Sequence, residues 1–318
     1  MKETRQPLSP QLWLAPLRGV TTRTFRATFS RQIREAGFSC AFAPFIPANP
    51  GLKISNRLFA ELPSPSADDI PLVPQVITRH PEAMRDFLSA CRDRGFDRVD
   101  LNAGCPFPMI RRRGRGSGLL ANPALLEKLV ETGCEVLGPG KFSVKTRLGI
   151  ERPDELLKLM PIFNRYPLAA LTIHARTAKQ MYEGSCALQR FHEAAAASTN
   201  PIAYNGDVGT DPGELASWRV GELASRSFKG TDPKASGNIC AFMIGRAFIR
   251  NLAKREDASA LLLAYIDACQ KELFGDRPVL GRIKELLAYW AGADNRWRRV
   301  WPLAKICRSV VELKEIVQ

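Results

Sequence analysis

The chain has 318 residues, enough for a large core, and its apolar runs stay short of the roughly 18 residues that cross a membrane. Its net charge of +14, from 46 Lys and Arg against 32 Asp and Glu, favours a polyanionic partner, most simply nucleic acid. Its eight cysteines form no CxxC pair or zinc-like cluster, and MKETRQPLSP lacks an apolar signal core, so we expect a cytoplasmic protein with reduced thiols and no metal site.

Eight short apolar runs, each ended by polar residues or glycine, predict eight β-strands. In chain order they are LWLAPL, SCAFAPFI, PLVPQVI, RVDLNAGC, FSVKTRL, ALTIHART, PIAYNGDV and ICAFMIGR. Helix-like segments separate them, such as HPEAMRDFLSACRDRG and NPALLEKLVETGCEVLG, in which Asn122 is a predicted N-cap before Pro123.

Alternation of strands and helices indicates an α/β fold with a parallel sheet, and eight such units within about 250 residues predict a (β/α)8 TIM barrel. A doubly wound open sheet is the alternative. The first strand is not followed by the GxGxxG fingerprint of a dinucleotide-binding fold, which argues against it.

The pattern becomes purely helical after Arg250, in SALLLAYIDACQKELF, VLGRIKELLAYWAG and WPLAKICRSVVELKEIV. We therefore predict a barrel domain over 1–250 and a small C-terminal helical domain over 251–318. From Arg277 to Arg308 the tail carries eight Lys and Arg against two acids, with interleaved Tyr and Trp, as a nucleic-acid surface would. A solvated helix face over an aromatic core is the plainer explanation. The Ser-, Gly- and Lys-rich stretch SRSFKGTDPKASGN before the last strand is predicted to be a mobile insertion.

Chemically unusual residues fall at the ends of the predicted strands. They are Arg18, Gly19, Gln75, Asn102, Cys105, Lys145, Arg147, His174, Arg176, Asn205, Gly206, Asp207, Gly245 and Arg246. The carboxyl ends of barrel strands converge on one face, so we expect the active site there.

The glycine-containing ends of strands seven and eight, YNGDVG and MIGRA, suit a phosphate group, because bare backbone N–H groups can approach it closely. Two ordinary turns are the alternative explanation. A phosphorylated flavin would fit the remaining groups, with Gln75 reading the edge of its ring and Lys145 stabilising charge on reduction.

Seven consecutive motifs then carry a specific resemblance. LAPLRGVTTRTFR, PQVITRHPE, VDLNAGCPFPMIRRRGRGSGLL, VKTRLG, IHARTAKQMYEG, YNGDV and MIGRA resemble, in order, the motifs of the tRNA-dihydrouridine synthases. RIKELLAYWAG resembles the helical tRNA-binding domain that follows the barrel in that family. The resemblance implies an FMN-containing TIM barrel that uses NADPH to reduce the C5=C6 bond of a uridine in tRNA.

The resemblance also implies roles for individual residues. The FMN contacts would be Pro16, Leu17, Arg18, Gly19, Gln75, Lys145, His174, Asn205, Gly206, Asp207, Gly245 and Arg246. Cys105 would be the proton donor, and the substrate contacts would be Asn102, Arg176, Gln180, Arg282, Lys284, Arg296 and Arg298. Leu17 and Thr22 depart from the usual methionine and aspartate of the family.

The resemblance further implies tRNA as the partner. We expect no membrane association and no obligate protein partner, and a monomer is the default expectation. RIKELLAYWAG is most similar to the bacterial C-type subgroup, which acts on D-loop position 16. Two alternatives remain: an FMN barrel reductase of a small molecule, like dihydroorotate dehydrogenase or old yellow enzyme, and a non-catalytic RNA-binding protein.

Overall fold

A computed structural model describes residues 10–51, 53–56, 58–62, 70–207 and 239–318. The predicted insertion at residues 225–238 lies outside this part of the chain. The described strands are β1 (Gln11–Leu14), β2 (Phe38–Phe42), β3 (Ile46–Pro47), β4 (Leu72–Val73), β5 (Gln75–Ile77), β6 (Val99–Ala103), β7 (Phe142–Gly149), β8 (Ala170–Thr177), β9 (Ile202–Asn205) and β10 (Ile239–Ile244).

The described helices, numbered in chain order, are α1 (Arg23–Thr28), α2 (Ser30–Glu35), α3 (Pro81–Asp93), α4 (Pro108–Arg111), α5 (Pro123–Leu137), α6 (Glu155–Asn164), α7 (Leu188–Ala196), α8 (Arg246–Leu252), α9 (Ala258–Glu272), α10 (Asp276–Ala291), α11 (Asn295–Ile306) and α12 (Val310–Val317). A 3₁₀ helix spans Gly116–Ala121. The predicted cap of α5 is confirmed, since the side chain of Asn122 accepts a hydrogen bond from the Leu125 N–H at 3.1 Å and Pro123 occupies the first turn.

The strands form one parallel sheet in the order β3-β5-β6-β7-β8-β9-β10-β1-β2-β4. The two ends of this order meet, because β2 and β3 are segments of one barrel strand and β4 and β5 are segments of the next. Pro74 separates β4 from β5, and its carbonyl still accepts from the N–H of Asp100 at 2.8 Å. The (β/α)8 TIM barrel is thereby confirmed. Two of the eight predicted strands, the second and the third, are each divided into two segments.

Both faces of the barrel wall are buried, which explains the almost unbroken apolar runs of the strands. Leu101, Val144 and Ile173 are fully buried against the surrounding helices. Trp13 on β1, Phe42 on β2 and Met243 on β10 belong to a second apolar cluster, separate from the first. The wall is therefore a rigid support for the loops at its carboxyl end.

The C-terminal helices pack against the barrel through aromatic side chains. The ring of Tyr265, on α9, lies 5.9 Å from Phe25 and 5.5 Å from Phe29, which flank the end of α1. Within the tail, the fully buried rings of Trp290 and Trp297 lie 4.8 Å apart. The division of the chain at residue 250 falls inside α8 and stays a prediction. Within the described residues, no helix is both long and apolar enough to cross a membrane.

Trp297→Ala should lower the free energy of unfolding by about 3 to 5 kcal/mol, as large-to-small changes in a core do. The ring is fully buried, and its Nε1 donates to the carbonyl of Ala253 at 2.9 Å. Urea denaturation measures the change. Leu303→Ala, which truncates an exposed side chain of the same helix, is the control and should cost less than about 0.5 kcal/mol. Equal losses in the two variants would contradict this account of the core.

Candidate active site

A cavity of about 780 Å³ opens at the carboxyl ends of the strands. Its walls come from the ends of β6 and β9, from the residues that follow β1, β2, β6, β8, β9 and β10, from β7 and β8 themselves, and from one face of α10. It falls within the usual size of small-molecule and cofactor sites. The position is the one where active sites of TIM barrels are built.

The structure brings most of the predicted site residues together around this cavity. Those that line it are Pro16, Leu17, Arg18, Gly19, Asn102, Cys105, Lys145, His174, Asn205, Gly206, Gly245 and Arg246. Gln75, Asp207, Arg176, Gln180, Arg282, Lys284, Arg296 and Arg298 are not among its lining residues.

Lys145, in the middle of β7, has a polar partner as an inward-facing lysine in a barrel requires. Its Nζ donates to Oδ1 of Asn205 at 2.8 Å, and Asn205 in turn donates from Nδ2 to the carbonyl of Met243 at 2.7 Å. Burial, together with the charge of Arg147, lowers the pKa of Lys145 to about 8. The ammonium is thus a cation held at a fixed point of the cavity wall.

His174 offers a neutral imidazole to the same cavity. Burial, with the charges of Arg147 and Lys145, lowers the pKa of His174 well below its ordinary value of 6.5. Its Nε2 atom is buried and has no hydrogen-bond partner among the described residues. A buried polar atom without a partner is costly, so a bound ligand with a matching group would satisfy it.

Two glycines line the cavity at positions where neighbouring side chains leave little space for a Cβ. A Cβ at Gly245 would lie 3.1 Å from Cβ of Ala15, and one at Gly206 would lie 2.5 Å from the hydroxyl oxygen of Tyr204. Arg246 lines the cavity beside them and forms a 3.2 Å ion pair with Asp207. Close backbone approach next to an arginine suits a phosphate group.

Cys105 follows β6 and is held in place through its backbone. Oδ1 of Asn102 accepts from the N–H of Cys105 at 2.8 Å, and the Cys105 carbonyl accepts from Ser117 Oγ at 2.9 Å. Gly116 has a φ of +56°, and a Cβ there would lie 2.8 Å from that of Cys105, so only glycine fits. The loop therefore packs tightly around the thiol while leaving it on the cavity wall.

The alkylation rate of Cys105 by iodoacetamide should still be rising at pH 9, because burial raises the pKa of this thiol above its ordinary value of 9.0. A raised pKa keeps the neutral thiol in the majority at neutral pH. Mass spectrometry of the peptide that contains Cys105 follows its reaction separately from that of the other cysteines. A rate that reaches its plateau below pH 8 would show an activated thiolate instead.

Gln75 makes its contacts within the protein, and the predicted contact with a flavin stays a prediction. Its side chain is fully buried, with Nε2 donating to Asp100 at 2.7 Å and Oε1 accepting from Asn102 at 2.8 Å. Both the oxygen and the nitrogen of its amide are thus hydrogen-bonded within the protein, and Gln75 does not line the cavity.

Arg176 and Gln180 also make contacts within the protein. Arg176 is 2% exposed and pairs with Asp207, while donating to the carbonyls of Glu183 and Gly184. Gln180 accepts from the N–H of Thr177 at 2.8 Å and donates to the carbonyl of Ser185 at 3.3 Å. These contacts shape the loop after β8, and the expected contact with a substrate base stays a prediction.

The predicted cations of the tail lie on its helices. Arg282 donates to Thr22 Oγ1 at 3.1 Å, and Lys284 donates to the carbonyls of Lys305 and Cys307. Arg296 donates to Ser259 Oγ and lies over the ring of Trp297, whereas Arg298 and Arg299 are exposed. Part of the basic charge thus has a structural use, and part faces solvent.

Several cavity residues had no predicted role. Arg147 was noted only for its place at a strand end; it is 2% exposed and donates to the carbonyls of Gly104, Thr177 and Met181. Tyr182 follows Met181, the one non-glycine residue of the described chain with positive φ. Glu285 and Tyr289 reach the cavity from α10, and their spacing of four places them on one helix face, a signal present in the sequence.

Comparison with known proteins shows the family of this chain. Residues 13–216 match the family model described as dihydrouridine synthase. A probable tRNA-dihydrouridine synthase of Staphylococcus epidermidis is 32% identical over 180 residues, which are 54% of this chain and 52% of that protein. A probable tRNA-dihydrouridine synthase of Aquifex aeolicus is 29% identical over 241 residues, 75% of this chain and 69% of that protein. The match thus spans only about half of the first relative.

One solved structure supports the fold alone. The old yellow enzyme from Trypanosoma cruzi superposes with a TM-score of 0.50 at 12% identity, over 80% of this chain and 91% of that one.

Proposed function

This chain belongs to the dihydrouridine synthase family, and from that premise we propose that it reduces the C5=C6 bond of a uridine in tRNA to 5,6-dihydrouridine, with FMN as cofactor and NADPH as reductant. The observation that carries the proposal is one cavity lined by a cation, a neutral histidine, two glycines beside an arginine, and a protonated thiol.

The residues of the cavity fit FMN. Gly206, Gly245 and Arg246 would hold its phosphate, and Lys145 with His174 would face its ring system, the orphaned Nε2 of His174 gaining a partner. Pro16, Leu17, Arg18 and Gly19 would form a further part of the wall, beside Gly245. Once reduced by NADPH, FMN would supply a hydride from N5 to C6 of the uracil.

Cys105 completes the reaction by donating a proton. Addition of hydride at C6 leaves negative charge over C5 and the C4 carbonyl, and the Cys105 thiol protonates C5. Its raised pKa keeps the proton on sulfur at neutral pH, which suits a general acid. The resulting thiolate regains a proton from solvent, so one NADPH and one proton are consumed for each dihydrouridine.

A uridine stacked in tRNA must leave the stack to enter this cavity. The exposed Arg112 and Arg113 follow the thiol loop, and the basic helices of 251–318 would bind the tRNA backbone. We include D-loop position 16 as the target, on the resemblance of RIKELLAYWAG to the C-type subgroup.

The double variant Arg298→Ala with Arg299→Ala should bind tRNA more weakly. The slope of the logarithm of its binding constant against the logarithm of the salt concentration should become shallower by about 1 to 2. Both side chains are exposed on α11, so their loss removes phosphate contacts without disturbing a core. Binding at several salt concentrations gives the slope. Arg85→Ala, on α3 and paired with Glu135 at 2.8 Å, is the control and should leave the slope unchanged. An unchanged slope in the double variant would place the tRNA surface elsewhere.

Expression in a bacterial strain whose tRNA lacks dihydrouridine tests the proposed reaction. Mass spectrometry of digested tRNA should then show dihydrouridine, and fragment analysis should place it at position 16. Dihydrouridine at another position would overturn only the assignment of the site. A complete absence would overturn the tRNA reaction itself.

A further inference from the structure

We propose that Asp100 and Gln75 are positioning residues for Cys105, acting through Asn102 along a continuous chain of side-chain hydrogen bonds behind the cavity wall. The inference rests on the proposed function only where it concerns turnover. It gives Gln75 a task within the protein.

The chain of hydrogen bonds starts at β7 and ends at the thiol loop. Ser143 Oγ donates to Asp100 Oδ1 at 2.7 Å, and Gln75 Nε2 donates to Asp100 Oδ2 at 2.7 Å. Asn102 Nδ2 donates to Gln75 Oε1 at 2.8 Å. Asn102 Oδ1 then accepts from the N–H of Cys105 at 2.8 Å and, more weakly, from Gly104 at 3.2 Å.

The orientation of each amide is fixed from both ends. Backbone N–H groups can only donate, so Asn102 must turn Oδ1 toward Cys105 and Nδ2 toward Gln75. An ionised carboxylate can only accept, so Gln75 must turn Nε2 toward Asp100 and Oε1 toward Asn102. Both requirements give the same result for the bond between the two amides, in which Asn102 Nδ2 donates and Gln75 Oε1 accepts.

Because these side chains are buried, breaking one of their hydrogen bonds costs free energy. Asp100 and Gln75 are fully buried, Ser143 is nearly so, and Asn102 is 8% exposed, so an amide that turned over would leave buried polar atoms unpaired. Neither Asp100 nor Gln75 lines the cavity, whereas Asn102 and Cys105 do. Asp100 can therefore influence the reacting thiol only by way of its neighbours.

The test compares variants of the flavin-loaded protein. Asp100→Leu removes the acceptor for Gln75, whereas Asp100→Asn can still accept from Gln75 with Oδ1 while its Nδ2 faces the adaptable Ser143 hydroxyl. Ser143→Ala removes the bond on the far side of Asp100 and is the matched control. Three rates are measured: flavin reduction by NADPH, flavin reoxidation by tRNA, and alkylation of Cys105 by iodoacetamide.

Asp100→Leu should slow reoxidation by tRNA at least about tenfold, since small misplacements of a reacting group are costly. It should speed Cys105 alkylation, because the loop loses its anchor. Flavin reduction is compared well below the pKa of Lys145, which loses the raising effect of the Asp100 charge in this variant, and should there stay within about twofold of wild type. Asp100→Asn and Ser143→Ala should stay close to wild type in all three rates. If Asp100→Leu does not fold, Gln75→Met cuts the same chain and should speed Cys105 alkylation in the same way.

Two results would overturn the inference. Equal losses in flavin reduction and reoxidation would mean that these residues act on the cofactor. Unchanged Cys105 alkylation in Asp100→Leu and Gln75→Met would mean that the chain does not hold the thiol loop. The alkylation rate needs no tRNA, so it tests the inference even if the tRNA reaction itself is not observed.

Discussion

Cys105→Ala should retain its flavin and its reduction by NADPH while losing reoxidation by tRNA by a factor of about 10² to 10⁴, the usual contribution of a general acid. The thiol lies on the cavity wall, and burial raises its pKa, so it is protonated when the C5 carbanion needs a proton. Stopped-flow absorbance of the flavin measures the two half-reactions separately.

Cys134→Ala is the matched control, since Cys134 lies on α5, away from the cavity, and only half-buried. It should leave both half-reactions unchanged. Normal reoxidation in Cys105→Ala would remove the thiol from the mechanism. A loss of flavin in that variant would instead give Cys105 a structural part in the cofactor site.

Lys145→Met should slow flavin reduction by NADPH on the order of 10²-fold and weaken retention of the flavin, because it removes a preorganised cation where charge develops on the ring. It also leaves Oδ1 of Asn205 without its donor. Burial lowers the pKa of Lys145 to about 8, so the ammonium form is lost as the pH rises through that value. The wild-type reduction rate should therefore decline above pH 8, and this decline should be missing in Lys145→Met.

Lys141→Met removes an exposed lysine just before the same strand and serves as the control. It should keep both the rate and the decline above pH 8. A decline that persists in Lys145→Met would assign it to another group, and an unaltered rate would take Lys145 out of the cofactor site.

The barrel could be predicted from the sequence because both faces of each strand are buried, so each strand reads as an apolar run with polar residues just past its end. The two interrupted strands could not. Pro74 and residues 44–45 break pairing locally. The neighbouring backbone groups still bond across the sheet, as Ala43 N–H does to the Val73 carbonyl at 2.9 Å. That compensation comes from the closed barrel and leaves no local signal.

The candidate site could be predicted wherever position along a strand decides which way a side chain points. Lys145, His174 and Cys105 were found in this way, and all three line the cavity. Gln75 and Arg176 also sit on strands, yet their side chains pair with other side chains of the protein. The partner of a long polar side chain comes from a neighbouring strand or loop, so the local sequence does not show it.

Residues that reach the cavity from a remote element escaped prediction for a related reason. Glu285 and Tyr289 lie on α10, and a Cβ at Gly19 would collide with the Glu285 carboxylate, so this helix closely approaches the loop after β1. The sequence shows that the two residues share a helix face. It does not show that this face packs against the barrel.

The most direct test of the central claim is the rate at which the NADPH-reduced protein is reoxidised, under anaerobic conditions, with and without tRNA that lacks dihydrouridine. A flavin-dependent reductase of tRNA uridine should show a flavin spectrum, be bleached by NADPH, and recover its absorbance only when the tRNA is added, with dihydrouridine formed in equal amount. Recovery with small-molecule acceptors but not with tRNA would contradict the account and favour a small-molecule reductase on the same barrel.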